Sequence, residues 1–196
     1  TMQSVLFTLN ARLSKFNVQS ISDLTSHNDL KLKRMGKEKI AIFAVIPDDT
    51  PAYNFLVGIL YTQLFQQLYR SADLYPGKKL PVPVHFLMDE FANVALPKGF
   101  DNLLSTMRQR QIFCSIILQN LSQLKALYEK QWESIVGNCD SFLYLGGNEQ
   151  STFEYVSKRL GTETLDTNTT GKSKGRNGSY TTNYQTTKRE LMQPDE

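Results

Sequence analysis

Two adjacent carboxylates follow an apolar run near the middle of the chain. The run Val84–Met88 has the composition of a buried strand, and it stops at Asp89 and Glu90. An aspartate at the end of a parallel strand can hold Mg²⁺, and a following glutamate can orient or deprotonate a water for attack on a phosphate. The sequence therefore predicts either a phosphate-hydrolysing metal site or an acidic turn after a core strand.

The next strand along the chain supplies a polar group to the same edge of the predicted sheet. The run Ser115–Leu118 leads into Gln119, and the carboxyl ends of parallel strands meet at one edge. An amide there can hydrogen-bond a γ-phosphate or the water that attacks it. The alternative is an ordinary polar turn between a strand and a helix, which the sequence favours for Gln119 taken alone.

Arg108 and Arg110 close the helix predicted between these two strands. Basic residues in the last turn of a helix complement the helix dipole. An arginine at this place can also act as an arginine finger, which enters a neighbouring subunit's site and binds phosphate with both arms of its guanidinium. The residues leave both interpretations open.

Two further acids, Asp48 and Asp49, follow the apolar run 40–46. Their side-chain oxygens can cap the next helix, which is the favoured interpretation over a second metal site. Together with Asp89 and Glu90 they also define an alternative function, a Mg²⁺-dependent nuclease. That chemistry requires carboxylates converging on metal sites about 4 Å apart.

A phosphate-binding loop of the pattern GxxxxGK[ST] does not occur in the 196 residues. Gly171-Lys172-Ser173 matches the last three positions, but Asp166 stands where the first glycine is required. No apolar strand precedes this segment. The chain therefore offers ligands for Mg²⁺ and water without the main-chain cradle that holds phosphates.

The chain from residue 162 onward is polar, rich in Thr, Asn, Gly and Ser, and nearly free of aliphatic side chains. This composition predicts a hairpin or a mobile loop, with Asn177-Gly178 as the hairpin turn. Its cations alternate with tyrosines, which makes it a candidate surface for single-stranded nucleic acid. On composition alone a solvated loop is favoured. The candidate nucleic-acid residues are Lys172, Lys174 and Arg176, with Tyr180 and Tyr184 between the later cations.

The elements that must position these groups form an α/β pattern. The chain is 40% hydrophobic, which is enough for one sizeable core. Its formal charge of +3 neither requires nor excludes a nucleic-acid partner. Its two cysteines are too few for a disulfide framework. Apolar strands alternate with amphipathic helices, which predicts a mostly parallel sheet with helices on both faces. The predicted helices are 4–16, 52–70, 100–111, 122–135 and 149–160, the predicted strands are 40–46, 84–88, 112–118 and 141–145, and 25–39 is predicted to be a loop or edge element.

Three segments follow from this organisation. Residues 1–38 are predicted to form a helix and a charged connector, and residues 39–161 an α/β half-domain that carries the two acids. Residues 162–196 are predicted to form the polar hairpin or loop and a C-terminal segment.

Several separated motifs together resemble one protein family. HFLMDEFANV is followed by LLSTMRQRQIFCSIILQNLSQLKALY, then by IVGNCDSFLYLGGNEQSTFEYVSKRLG and finally by KRELMQPDE. These stretches agree in order and spacing with the VirD4/TraG family of type IV secretion coupling proteins, and the resemblance covers nearly the whole chain.

The resemblance implies a membrane-anchored, hexameric ATPase with a RecA-like P-loop NTPase domain that uses Mg²⁺ and ATP. Such proteins bring the DNA strand bound by a relaxase to the type IV secretion channel. Asp89 matches the Walker B aspartate, which holds the metal, and Glu90 matches the catalytic glutamate. Gln119 matches the glutamine that ends the next strand, and Arg108 occupies the place of the arginine finger.

In this family the Walker A loop, an all-helical insertion and the membrane helices lie upstream of the matching segment. The resemblance therefore implies that the chain is the C-terminal portion of the motor domain, itself soluble, at the cytoplasmic face of the membrane. We expect it to be monomeric, to bind nucleotide weakly and to hydrolyse none alone. The alternative is a non-catalytic docking module for relaxosome or secretion partners.

Overall fold

The computed structural model describes residues 2–46, 53–94, 96–97, 99–172 and 180–192. The chain divides into two compact units, one of Thr1–Val84 with Arg108–Phe113 and one of His85–Met107 with Cys114–Glu196. The helices are α1 (Met2–Leu13), α2 (Gln19–Ser26), α3 (Asn54–Asp73), α4 (Phe100–Met107), α5 (Leu121–Tyr128), α6 (Trp132–Gly137) and α7 (Gln150–Leu160). The strands are β1 (Val84–Met88), β2 (Ile112–Ile116), β3 (Thr162–Lys172) and β4 (Tyr180–Glu190).

Helix α3 forms the core of the first unit. Leu64, Phe65 and Leu68 are buried along one side of it, at the spacing that places side chains on one helical face. Its last turns also hold Arg110, whose guanidinium lies 4.5 Å from the centroid of the Tyr69 ring. The apolar spacing thus predicted this helix correctly, although it begins two residues later and ends three residues later than expected. None of the described helices is long and apolar enough to cross a membrane.

Strands β1 and β2 pair with each other and run in the same direction. At their start Val84 N donates to Gln111 O at 3.0 Å, and just past their end Ile117 N donates to Met88 O at 3.0 Å. Alternate residues of β1 are buried, Phe86 and Met88 among them. Two of the predicted parallel strands are therefore confirmed, and they place the residues that follow Met88 and Ile116 at one edge.

The core of the second unit is built on the residues just past β1. Phe91 is fully buried, and its ring lies 5.7 Å from the Phe100 ring and 6.1 Å from the Tyr128 ring, measured between centroids. The buried Thr152 joins two helices, because its Oγ1 accepts a hydrogen bond from Leu121 N at 3.0 Å. These contacts fix the helices that begin beyond each strand.

Two predicted strands are wrong for the described residues. Segments 40–46 and 141–145 have no strand conformation, and Phe43, Val45, Leu143 and Leu145 are 89%, 94%, 82% and 88% exposed. An apolar run becomes a strand only when a neighbour hydrogen-bonds to its backbone, and no described residue pairs with either segment in a sheet.

Two helix predictions also need correction. The helix predicted over 122–135 is two helices, α5 and α6, because the chain breaks at Glu129, where φ is 25°. The predicted loop over 25–39 includes the end of α2, a helix that the sequence pattern did not indicate. The predicted N-terminal helix is confirmed as α1, which continues as a 3-10 helix over Ser14–Asn17.

Strands β3 and β4 form an antiparallel ribbon, which confirms the predicted hairpin. Pairing runs from Thr162 opposite Glu190 to Lys172 opposite Tyr180. At the base of the ribbon the buried Ser157 Oγ donates to Glu190 Oε2 at 2.9 Å and to Met192 O at 2.8 Å. The predicted turn at Asn177-Gly178 lies outside the described residues, as does the expected C-terminal segment past Met192.

Candidate functional site

The acidic turn is held by backbone bonds on both sides. Ile117 N donates to Met88 O, and Phe91 N donates to Ile117 O, each at 3.0 Å. Asp89 and Glu90 therefore lie between two residues, Met88 and Phe91, whose backbones both bond to Ile117. The Phe91 ring is buried and holds the end of the turn in the core. The turn is positioned by the core, while both carboxylates are exposed to solvent.

Each carboxylate makes a local hydrogen bond. Asp89 Oδ1 accepts from Glu90 N at 3.0 Å, and Glu90 Oε2 accepts from Asn93 Nδ2 at 3.1 Å. A hydrogen bond to a carboxylate oxygen limits rotation of the side chain. The two acids are therefore oriented acceptors, which is what a metal ligand and a water-orienting base require.

Glu90 has a left-handed backbone conformation, with φ 46° and ψ 48°. A residue with a Cβ adopts this conformation at a cost of about 1–2 kcal/mol, and such residues cluster at functional sites. A simple turn at this place would favour Gly, Asn or Asp. Lys31 has nearly the same dihedral angles, φ 46° and ψ 49°, so the strain at Glu90 does not by itself assign a role to its side chain.

Gln119 emerges beside this turn. It comes two residues after Ile117, whose backbone bonds both Met88 and Phe91. Its own N–H donates to Gln123 Oε1 at 3.4 Å, and the next residue, Asn120, caps α5 by accepting from Gln123 N at 3.1 Å. The structure thus brings the chain segments of Gln119 and the two acids to one sheet edge, as the sequence predicted.

The roles of the other predicted site residues stay predictions. Arg108 is exposed in the 3-10 helix Arg108–Arg110 of the first unit, so its role as an arginine finger stays a prediction. Asp48 and Asp49 lie outside the described residues, as do Lys174 and Arg176, and Lys172 is described only as the last residue of β3.

Magnesium fits the chemistry of this turn only as part of a nucleotide complex. No group of three or more His, Cys, Asp or Glu residues within the described ranges could hold a metal ion. Mg²⁺ is commonly bound by one or two carboxylates together with substrate phosphates and waters. The exposed, oriented carboxylate of Asp89 suits that arrangement.

Two residues that shape the site region were not predicted from the sequence, Asn93 and Glu149. Asn93 donates a hydrogen bond to the Glu90 carboxylate. The sequence signal for this contact is the spacing of three residues between Glu90 and Asn93. Glu149 caps α7 and accepts hydrogen bonds from Ser151 N at 3.2 Å and Thr152 N at 2.9 Å. Hydrogen bonds from the side chains of Thr152 and Ser151 lower the pKa of Glu149 below its ordinary value of 4.5. Glu149 before Ser-Thr is a capping signal that could have been found.

Comparisons with known proteins agree on one family. The family model described as type IV secretory system conjugative DNA transfer matches residues 1–196. The chain is similar to the protein VirD4 of Rhizobium rhizogenes, 25% identical over 154 residues that make up 78% of this chain and 22% of that protein. It is also similar to the conjugal transfer protein TraG of Agrobacterium fabrum, 27% identical over 152 residues, 74% of this chain and 22% of that protein. The chain thus spans about a fifth of the curated relatives it matches.

A solved structure has the same fold. The bacterial conjugative coupling protein TrwBdeltaN70 matches with a TM-score of 0.52 and 18% identity, over 73% of this chain and 32% of that one. This likeness confirms the predicted fold class, a partial RecA-like α/β core.

Proposed function

Because the chain belongs to the type IV secretory system conjugative DNA transfer family, we propose that it supplies the hydrolytic half of an ATP-driven DNA-transfer motor. Family membership confirms the resemblance to VirD4/TraG coupling proteins. The observation that supports the catalytic part of the proposal is the turn after β1, where the core holds Asp89 and the strained Glu90 beside Gln119. The roles proposed for the individual residues are those that the family resemblance implies.

Asp89 ligates the Mg²⁺ that accompanies ATP, and Glu90 orients and deprotonates the attacking water. When bound, the metal ion neutralises charge on the phosphates and so lowers the cost of the developing negative charge. Gln119, from the neighbouring strand, hydrogen-bonds the γ-phosphate or the same water. Arg108 serves a neighbouring subunit's site in a homo-hexamer, where its guanidinium stabilises transition-state charge.

The phosphate cradle comes from outside these 196 residues. The nearest sequence match, Gly171-Lys172-Ser173, begins at the end of β3, whereas a phosphate loop leads from a strand into a helix. The chain alone is therefore expected to be monomeric, to bind Mg·ATP weakly and to release no phosphate. In the complete protein its partners are the DNA–relaxase complex and the secretion channel, at the cytoplasmic face of the membrane.

The test compares single substitutions in the full-length protein that contains this chain. Glu90→Gln keeps the shape of the side chain and its hydrogen bond to Asn93 but removes the base, which is expected to slow phosphate release by about 10²–10⁴-fold. Asp89→Asn is expected to weaken binding of Mg·ATP without weakening binding of ATP in EDTA. The matched control is Glu133→Gln, since Glu133 is an exposed acid of α6.

Three outcomes would overturn the proposal. Robust phosphate release by the 196-residue chain alone would refute the requirement for an outside cradle. Magnesium-dependent cleavage of single-stranded DNA that Asp89→Asn abolishes would favour the nuclease alternative. If the chain instead captures relaxosome proteins and full-length Asp89→Asn still hydrolyses ATP normally, the docking module is the better description.

A further inference from the structure

Two segments of the first unit together carry an excess of positive charge. Residues 28–39 and 73–82 contain seven Lys or Arg residues and three Asp or Glu residues. Six of the seven cations are lysines, and all six are exposed. These six residues, here called the lysine patch, are Lys31, Lys33, Lys37, Lys39, Lys78 and Lys79.

The two segments that carry the lysine patch are packed against each other. Val82 N donates a hydrogen bond to Gly36 O at 3.0 Å. The backbone of Gly36 also lies so close to Leu80 that a Cβ at Gly36 would come within 2.9 Å of the Leu80 methyl carbons. Met35 and Leu80 are both buried and hold their segments to the core of the unit. This contact fixes the two groups of lysines beside each other.

The carboxylates of the two segments do little to neutralise the lysine patch. Glu38 forms an ion pair with Arg34, which is not one of the six lysines. Asp73 lies 3.8 Å from Arg110, a cation outside the two segments. Asp29 is exposed beside the lysines. The surface therefore stays strongly positive, and a polyanion complements it.

The residue types around the lysine patch favour an anionic bilayer surface over a nucleic acid. Residues 28–39 and 76–82 contain no aromatic side chain on which a base could stack. Their one arginine, the residue type that binds phosphate with a planar pair of hydrogen bonds, is paired with Glu38. Leu30 and Leu74 lie in the same two segments and are 48% and 79% exposed. Exposed aliphatic side chains next to lysines suit the interface of a bilayer.

We infer that the lysine patch binds the surface of a bilayer that contains anionic phospholipids. Clusters of about four to eight Lys or Arg residues bind such surfaces through the charge of the lipid headgroups. The inference rests on the proposed function for its location, since that function places the chain at the cytoplasmic face of the membrane, where anionic lipids make the surface negative. It does not involve the acidic turn after β1, which belongs to the second unit.

The test measures co-sedimentation of the 196-residue chain with vesicles of equal parts phosphatidylcholine and phosphatidylglycerol, and with vesicles of phosphatidylcholine alone. We expect binding to the anionic vesicles, and we expect it to weaken as sodium chloride is added, because salt screens the attraction. Replacing Lys33 and Lys37 together by glutamine should lower the partition coefficient about 25-fold, at about fivefold for each lysine removed. Replacing Lys78 and Lys79 together by glutamine should lower it by a similar factor.

The matched control replaces Lys130 and Lys158 by glutamine, since both are exposed lysines of the second unit and their loss makes the same change in net charge. This control should leave the partition coefficient nearly unchanged. Equal losses in the control and in the patch variants would show attraction by overall charge and overturn the inference.

Other results would also contradict binding of an anionic bilayer by the lysine patch. Equal binding to both kinds of vesicle, or binding to neither, would remove the role of anionic lipid. If the patch variants instead weaken binding of a fluorescein-labelled oligothymidine and leave vesicle binding intact, the surface binds nucleic acid. Because no ATP is present in these measurements, failure here leaves the effect of Glu90→Gln on hydrolysis as a separate result.

Discussion

Replacing Glu90 by asparagine should stabilise the second unit while removing the proposed catalytic base. Glu90 is held with φ 46° and ψ 48°, a conformation that costs a residue with a Cβ about 1–2 kcal/mol and that asparagine tolerates. Active sites commonly retain such strain at the expense of stability. If Glu90 stands in this conformation because of its chemistry, a residue suited to the turn should make the fold more stable.

The magnitude follows from two opposing terms. Relief of the left-handed conformation contributes about 1–2 kcal/mol, and loss of the hydrogen bond from Asn93 Nδ2 to Glu90 Oε2 costs about 0.5–1.5 kcal/mol. The expected net gain is about 0.5 kcal/mol, or about 1–2 °C in Tm for a chain of this size. Glycine also relieves the strain but costs a further 0.5–1 kcal/mol, approximately, in backbone entropy, so Glu90→Gly should be close to neutral.

Urea unfolding of the 196-residue chain, followed by fluorescence of its single tryptophan, Trp132, measures these differences. The control is Glu133→Asn, which removes an exposed acid from the first turn of α6 and should lower the free energy of unfolding by about 0.5 kcal/mol. The expected order of stability is Glu90→Asn first, then Glu90→Gly close to the parent chain, then the control. If Glu90→Asn destabilises the chain as much as the control does, the argument from strain is wrong.

Three further predictions concern the second unit. Thr152→Val should lower the free energy of unfolding by about 1–3 kcal/mol, because the backbone N–H of Leu121, a buried residue, loses its hydrogen-bond acceptor. Thr169→Val, at an exposed position of β3, should have little effect in the same urea titration. Since the folded pKa of Glu149 is lowered, its contribution to stability is present above its unfolded pKa and is lost as pH falls through the folded pKa. Thermal melts across the acid range should therefore show a weaker pH dependence for Glu149→Gln, and an unchanged dependence would contradict the assignment. Burial raises the pKa of Cys114 from 9.0 to about 12. Iodoacetamide should therefore alkylate Cys114 at pH 8 about a thousandfold more slowly in the native than in the denatured chain, which peptide mass spectrometry measures. Comparable rates would show that the thiol is accessible and ionised.

The elements that the sequence predicted well are those with a local signal. The amphipathic spacing of α3, the apolar runs of β1 and β2, and the polar β3–β4 hairpin are all visible within a short window of residues. Segments 40–46 and 141–145 have the same apolar composition as β1, yet no described residue pairs with them. Strand formation depends on a neighbour that a local pattern does not contain, so composition alone overestimated the sheet.

The residue types of the candidate site, and its place at the carboxyl ends of two strands, could be predicted from the sequence. The backbone conformation and hydrogen bonds within the site could not. Asp89 and Gln119 were identified because each follows an apolar strand, and parallel topology brings such positions together. The left-handed conformation of Glu90 and its bond from Asn93 depend on how the buried Phe91 fixes the turn. Backbone strain of this kind has no signature in residue type, since a glutamate gives no local reason to adopt it.

The rate of phosphate release by the full-length protein with Glu90→Gln tests whether the turn after β1 carries out hydrolysis. We expect a loss of about 10²–10⁴-fold with Mg·ATP still bound, while Glu133→Gln keeps the rate of the unsubstituted protein. Phosphate release by Glu90→Gln at the rate of the unsubstituted protein would show that the turn after β1 does not carry out hydrolysis.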